Sequence, residues 1–424
     1  MRVSILALSL ALAASPALAD SVYLSADKMV DVQKGRVIEN PAVLIEDGRI
    51  IAVGTKGRLA VPEGAKQIEL DGKTILPGLI DMHTHLTSHH DVHGFRRLSV
   101  SLPKATITGV AQAKTTLMAG FTTVRNVGAP GFSDVALRDS IAEGVVPGPR
   151  MFVSGPPVGI TGGHCSDNNL LPAEYGLSGD GVADGPWAAR AAVRRNIKYG
   201  ADLIKTCSTG GVLSKGTKVG APQYSVEELT ALTEEAHSRG LRVASHAHGT
   251  EGIKNAIQAG VDTIEHASFL DDEAIKMAKA KGTYLSMDIY NTEYILSEGE
   301  AAGILEESLD KERKVGKRQR DSFSRAVKAG LKVVFGTDAG VYPHGQNARQ
   351  LSRMVRFGMT EMQALQAATI RASEAMGQDQ VIGAIAEGYY ADIIAVDGDP
   401  IKDISQLEDV DFVMKEGEIF KNKD

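Results

Sequence analysis

The sequence predicts an α/β protein: a (β/α)8 barrel carrying a small β-sandwich domain formed from both chain ends. Three observations predict it. Eight short apolar runs alternate with amphipathic stretches between residues 78 and 338, the rhythm of a parallel sheet with helical crossovers. Shorter alternating runs with glycine turns precede and follow that region, as in strands of a small antiparallel unit. Four of the eight runs end in His83, His246, His266 and Asp338, where a parallel barrel gathers its strand ends at one mouth.

With 424 residues, 43% apolar and 23% charged, the chain can bury a large core. Its length suits two to three domains or one large barrel with an addition. The formal charge of -7 supplies no basic face for nucleic acid.

Taken in order, residues 1–19 read as a signal peptide. "MRVSILALSLALAASPALAD" has Arg2, an apolar stretch and the small-residue pattern Ala17-Leu18-Ala19. Cleavage after Ala19 is expected. The apolar stretch is shorter than the about 20 residues that span a bilayer. The mature chain is then expected in the periplasm, with no membrane attachment.

Residues 20–76 form the first part of the sandwich. "DKMVDVQKGRVIENPAVLIEDGRIIAVG" alternates around Gly35, Asp47-Gly48 and Gly54, which are turn signals between short strands. Residues 381–424 return to this style in "GAIAEGYYADIIAVDGDP" and "VDFVMKEGEIF". Between them, residues 77–380 form the barrel. Its strands are "GLIDMH" (78–83), "TTVRNV" (122–127), "RMFVSG" (150–155), "ADLIKTC" (201–207), "LRVASH" (241–246), "VDTIEH" (261–266), "TYLSMD" (283–288) and "KVVFGTD" (332–338). "SVEELTALTEEAHSRG" is a helix with Ser225 as N-cap and Gly240 as stop. The stretch 347–377 packs outside the barrel. Connections 155–186 and 207–224 are long and glycine-rich, and such loops are usually functional or mobile.

The strand ends carry the chemistry. His83 and His85 share a side, because strand residues at i and i+2 point the same way. One histidine at a strand end is more often a satisfied core residue than a ligand. Four histidines and an aspartate at four strand ends are a metal site, suited to Zn²⁺ before Mn²⁺ or Co²⁺. Cys165 and Cys207 are the only cysteines and lie 42 positions apart, outside metal-type spacing. A disulfide and two separate thiols are both compatible with that spacing.

"PGLIDMHTHL", "LIKTC", "SHAHG", "IEHAS" and "FGTDAG" occur in this order. The pattern resembles the amidohydrolase superfamily over about residues 22–420. "TTVRNVG", "TGGH" and "STGGVLS" bring it nearest to the prolidase-like, imidazolonepropionase-related branch of metal-dependent dipeptidases and N-acyl amino acid hydrolases. The resemblance implies two divalent ions bridged by Lys205 as its carbamate. One ion would be held by His83, His85 and Asp338, the other by His246 and His266. A hydroxide bridging the ions would attack the amide carbonyl. Asp338 would take up its proton and return it to the departing amine. His164, Tyr224 and His248 would hold the scissile carbonyl or the substrate α-carboxylate. His248 competes with His246 as the metal ligand, and His246 fits the strand end better.

His89, His90 and His93 follow the ligand pair and read as rim or substrate contacts, or as a solvated loop. Asp288 and Glu293 could favour a cationic substrate side chain, although most such acidic residues are simply solvated. The expected function is cleavage of the amide bond before a C-terminal amino acid in a dipeptide or N-acyl amino acid. A lactonase or cyclic-amide hydrolase would use the same ions. A deaminase fits less well: deaminases of the superfamily it resembles use one metal and carry a glutamate three positions after the strand-five histidine, where Gly249 stands, and Lys205 is present. A non-catalytic metal binder would need no positioned Asp338. The sequence leaves a homo-oligomer open.

Overall fold

A computed structural model describes residues 21–165 and 169–423. The expected signal peptide lies outside the described residues. Among them, no helix is long and apolar enough to cross a membrane.

Both chain ends build one sheet. Its strands are β1 (Val22–Asp31), β2 (Arg36–Glu39), β3 (Pro41–Glu46), β4 (Arg49–Thr55) and β5 (Lys66–Pro77). The eight parallel-region strands β6 (Leu79–Thr84), β7 (Phe121–Asn126), β8 (Arg150–Val153), β9 (Leu203–Cys207), β10 (Arg242–Ala247), β11 (Thr263–His266), β12 (Tyr284–Ser286) and β13 (Val333–Val334) come next. The chain returns to the first sheet with β14 (Ile393–Asp397), β15 (Phe412–Lys415) and β16 (Glu418–Asn422). The order there is β16-β15-β14-β5-β1-β3-β4, with β2 on β1. The expected sandwich is therefore a single hydrogen-bonded sheet, because β14 pairs antiparallel with β5 and joins the two ends directly. Leu24, Val43, Ile68, Ile393 and Phe412 share one apolar cluster inside it.

The middle strands make an α/β fold with parallel pairing, as expected. They fall into two sheets, β13-β12-β11-β10-β9 and β6-β7-β8, rather than one closed ladder. Backbone bonds nevertheless cross both seams. Met82 N donates to Phe335 O (3.0 Å), and Val158 N donates to Lys205 O (2.8 Å). The chain just after β13 lies close to its neighbours on both sides: a Cβ at Gly336 would lie 2.1 Å from Ser286 Oγ and 3.1 Å from His83 Cβ. Only glycine lets the last strand lie this close to its neighbours.

Helices cover the strands where the periodicity places them. The helix Val226–His237 starts at Ser225, whose side chain accepts from Glu228 N in a full capping box. Its apolar face, including Leu229 and Leu232, enters the main core with Phe121, Ile204 and Ile264. Burying a leucine side chain of this kind contributes about 1.5–3 kcal/mol. The stretch 347–377 divides into helices Arg349–Arg356, Glu361–Ala367 and Ile370–Met376. The last buries Ala372 and Ala375 against Ile80, Met82 and Val334, on strands either side of one seam.

Candidate metal centre

The strand ends converge. His83 from β6, His246 from β10 and His266 from β11 bring their rings within 4.5–5.1 Å along the contacts His246–His266 and His83–His266. His85 lies 5.4 Å from His83. Asp338, beyond β13, places Oδ1 3.4 Å from His83 Nε2 and 3.2 Å from His85 Nε2. Ligand atoms of His83, His266 and Asp338 lie within 4.8 Å of one another, as do those of His246, His248 and His266. Lys205, on β9, is buried among them.

Four rings are held through Nδ1, which leaves Nε2 facing the centre. His85 Nδ1 meets Gly128 O at 3.1 Å, and His266 Nδ1 meets Asp288 Oδ1 at 2.7 Å. His248 Nδ1 meets Ser268 Oγ at 2.7 Å, and His164 Nδ1 meets Ser214 Oγ at 2.8 Å. His83 Nδ1 faces Glu265 Oε2 at 3.0 Å. Burial dominates the electrostatics. It pushes His83 and His164 down to about 3, and His246 and His248 well below the ordinary histidine range. These four rings are therefore neutral at neutral pH; burial works to lower His266 too, but the Asp288 carboxylate outweighs it and raises that ring. Burial works to raise the Asp338 carboxyl, but the His83 and His85 partners hold it well below its ordinary range.

These residues fit divalent cations. The donor set is imidazole and carboxylate, buried and mutually close. His246 Nε2 is buried without a hydrogen-bond partner, which is costly unless something occupies its lone pair or proton. The backbone is also strained here: His266 (φ 69°), Ala267 (φ 47°) and Asp338 (φ 58°) are left-handed non-glycine residues. Such conformations concentrate at functional sites.

Beneath the centre lies a polar network that the sequence analysis missed. Arg125 Nη2 donates to Glu265 Oε1 (2.6 Å), Arg125 Nη1 to Thr263 Oγ1 (2.9 Å) and Arg125 Nε to Met82 O (2.6 Å). On the other side, Asp81 Oδ2 accepts from Thr337 Oγ1 (2.6 Å) and Asn347 Nδ2 (2.8 Å). The signal was present in the strands: Asp81, Arg125 and Glu265 are charged residues inside apolar runs, and a buried charge requires a partner.

Other expected residues are placed differently. Tyr224 is buried in the main core. Its hydroxyl donates to Ala183 O at 2.6 Å, which ties the two long loops together. Asp288 and Glu293 are not free for a cationic substrate. Asp288 is occupied by His266, Asn291 and Gln319, and Glu293 pairs with Arg353 and Arg320. His93 is buried with Nε2 3.3 Å from Val341 O. His89 stacks on His90 and pairs with Asp91, so these two form a rim. His164 does reach the cluster, its ring 4.1 Å from that of His246. Asn291 also belongs to the site: Nδ2 donates to Asp288 Oδ2 (2.7 Å) and Asp338 Oδ2 (3.2 Å). Cys165 and Cys207 form a disulfide, with Cα atoms 5.7 Å apart.

Known proteins share this arrangement of chain. An Amidohydrolase family model matches residues 74–420. An ochratoxinase of Aspergillus niger is 32% identical over 416 residues, covering 91% of this chain and 84% of its own length. A crystal structure of a Xaa-Pro dipeptidase with bound methionine in the active site is 36% identical, with a TM-score of 0.89 over 95% of this chain and 100% of that one. A prolidase complexed with N-methylphosphonate-L-proline is 29% identical, with a TM-score of 0.87 over 95% of this chain and 100% of that one.

Proposed function

Because this chain belongs to the Amidohydrolase family, we propose that it hydrolyses the amide bond before a C-terminal amino acid in dipeptides or N-acyl amino acids. The observation that carries the reading is the buried histidine cluster closed by Asp338. His83, His85 and Asp338 would hold one divalent ion, His246 and His266 a second, and Lys205 both; zinc suits this set best. Bound there, the ions would supply an activated water and neutralise charge developing on the carbonyl oxygen. Structures similar to this chain carry fitting molecules: methionine is a free amino acid, and the proline phosphonate is tetrahedral at the atom bonded to the proline nitrogen.

Lys205 acts as a carbamate. Its burial lowers the amine to about 8, so more of it is neutral at pH 7 than in an exposed lysine. The neutral amine adds carbon dioxide and releases a proton, which replaces a repelling ammonium by an anion. Asp338 serves as proton carrier. Asn291 donates to Oδ2 and so orients the carboxylate that would accept a proton from the attacking water and return it to the leaving nitrogen. His164 and His248 bind the substrate. Their Nδ1 atoms meet the Ser214 and Ser268 hydroxyls; in the tautomer in which those hydroxyls donate, each Nε2 presents a proton to a carbonyl or carboxylate oxygen. Tyr224 contributes by holding the loops rather than by touching substrate.

The two parallel sheets are read as halves of one (β/α)8 barrel, whose seams are spanned by backbone bonds. The leader implies export to the periplasm, and the Cys165–Cys207 bond suits an oxidising compartment. A dipeptide-library screen that detects released C-terminal amino acids, with lactones and aminated heterocycles as further arms, tests the function. Turnover of peptides in the zinc-loaded protein supports it. Turnover of lactones or heterocycles alone would refute it.

A further inference from the structure

The only two cysteines stand at the metal centre. Cys207 ends β9, two residues beyond Lys205, and is fully buried. Cys165 follows His164 on the long loop after β8. The disulfide between them therefore pins that loop to the strand carrying Lys205. His164 is seated beside it: its ring lies 4.1 Å from His246, and its backbone N–H donates to Gln223 Oε1 at 3.0 Å. Gly211 lies flat on that ring, since a Cβ there would come within 2.3 Å of His164 Cε1.

The sulfur of Cys207 has a second significance. Its Sγ and the ligand atoms of His164 and His246 all lie within 4.8 Å of one another. The buried Nε2 of His246 has no hydrogen-bond partner. Two imidazoles and a thiolate make a soft set that zinc or cobalt binds well. In the disulfide, that sulfur has no charge to offer.

We propose that opening the Cys165–Cys207 disulfide creates a His164–Cys207–His246 cation site, which competes with the main centre for the ion on their shared His246. The intact bond thus keeps a thiolate away from the working ion and keeps His164 in place. The proposal rests on the metal reading above only in taking His246 as a cation ligand. The chemistry balances with a dithiol as reductant. Two electrons and two protons pass from the dithiol to the S–S bond, the dithiol closes to a cyclic disulfide, and two cysteine thiols form. On cation capture the Cys207 thiol releases one proton to solvent and its sulfur donates an electron pair.

The test uses cobalt(II) as the probe on the full mature chain. Cys165→Ser leaves Cys207 as the sole thiol, and Cys207→Ser removes the sulfur ligand altogether. Cobalt-loaded Cys165→Ser is expected to show a near-ultraviolet thiolate-to-cobalt charge-transfer band that oxidised wild type and Cys207→Ser lack. Wild type reduced by a dithiol and desalted without oxygen is expected to gain the same band and lose it on reoxidation, which covers the case of a variant that misfolds. Cobalt bound by Cys165→Ser or by the reduced wild type without that band would overturn the proposal. Failure of every form to bind cobalt would overturn it together with the metal reading, and the two failures are told apart by elemental analysis.

Discussion

Arg125 Nη2 donates to Glu265 Oε1 at 2.6 Å, and both side chains are buried under His83. Burial works to raise the Glu265 carboxyl, but Arg125 and His83 overcome it and hold it well below its ordinary range. Glu265→Gln leaves the guanidinium without its counter-charge. Breaking such a pair costs about 3–5 kcal/mol, and loss of the group facing His83 weakens metal binding roughly 10–100-fold. Urea unfolding and zinc competition with a chelator measure the two effects. Unchanged values of both would show the pair to be dispensable.

Asn291 joins Asp288, which meets His266 Nδ1, to Asp338, the proton carrier of the proposed reaction. Asn291→Ala removes a hydrogen bond to a charged group, worth about 1.5–3 kcal/mol. The expected result is kcat lowered by roughly 10–100-fold, with KM little changed, since Asn291 is not assigned to substrate. A rise in KM with kcat intact would place Asn291 on the substrate instead.

Tyr224→Phe separates a positioning tyrosine from a substrate ligand. The lost hydroxyl leaves the Ala183 carbonyl without its donor, at a cost of about 1–3 kcal/mol in stability. Thermal unfolding should fall while KM stays near wild type. A large KM increase with normal stability would return Tyr224 to the substrate shell.

His93 is held neutral by burial, which pushes it from 6.5 down to about 4, with Arg97 adding to the effect. Between these two values the unfolded chain binds a proton that the folded chain does not. This group therefore makes stability fall as pH drops from 6.5 toward 4, by up to about 1.4 kcal/mol per pH unit, and contributes no slope above 6.5. His93→Gln, which retains a donor for Val341 O, should flatten that part of the urea-midpoint profile of the metal-free protein. An unaltered slope would mean that His93 titrates normally.

Much of this was legible because the signals are local. The strands that carry His83, His246 and His266 follow from short apolar runs, whereas Asp338 lies beyond a last strand that ends already at Val334; the Ser225 cap follows from its spacing to Glu228. The single outer sheet was not legible, because pairing of β14 with β5 joins residues more than 300 positions apart. Tyr224 and Asp288 were misread for a related reason. A polar residue in a loop or at a strand end looks available in sequence, whereas Ala183 O and His266 Nδ1 occupy them in the fold. Arg125 and Glu265 carried a visible signal, a charge within an apolar strand, whose partner only the strand order reveals.

The central claim is tested most directly by elemental analysis of the mature protein purified with bicarbonate and zinc, beside the Lys205→Ala variant. Two ions per chain in the wild type, falling in the variant and recovering with added short-chain carboxylate, is the predicted result. Wild-type protein that turns over substrate with no bound ion, or a variant that keeps both ions unaided, would contradict it.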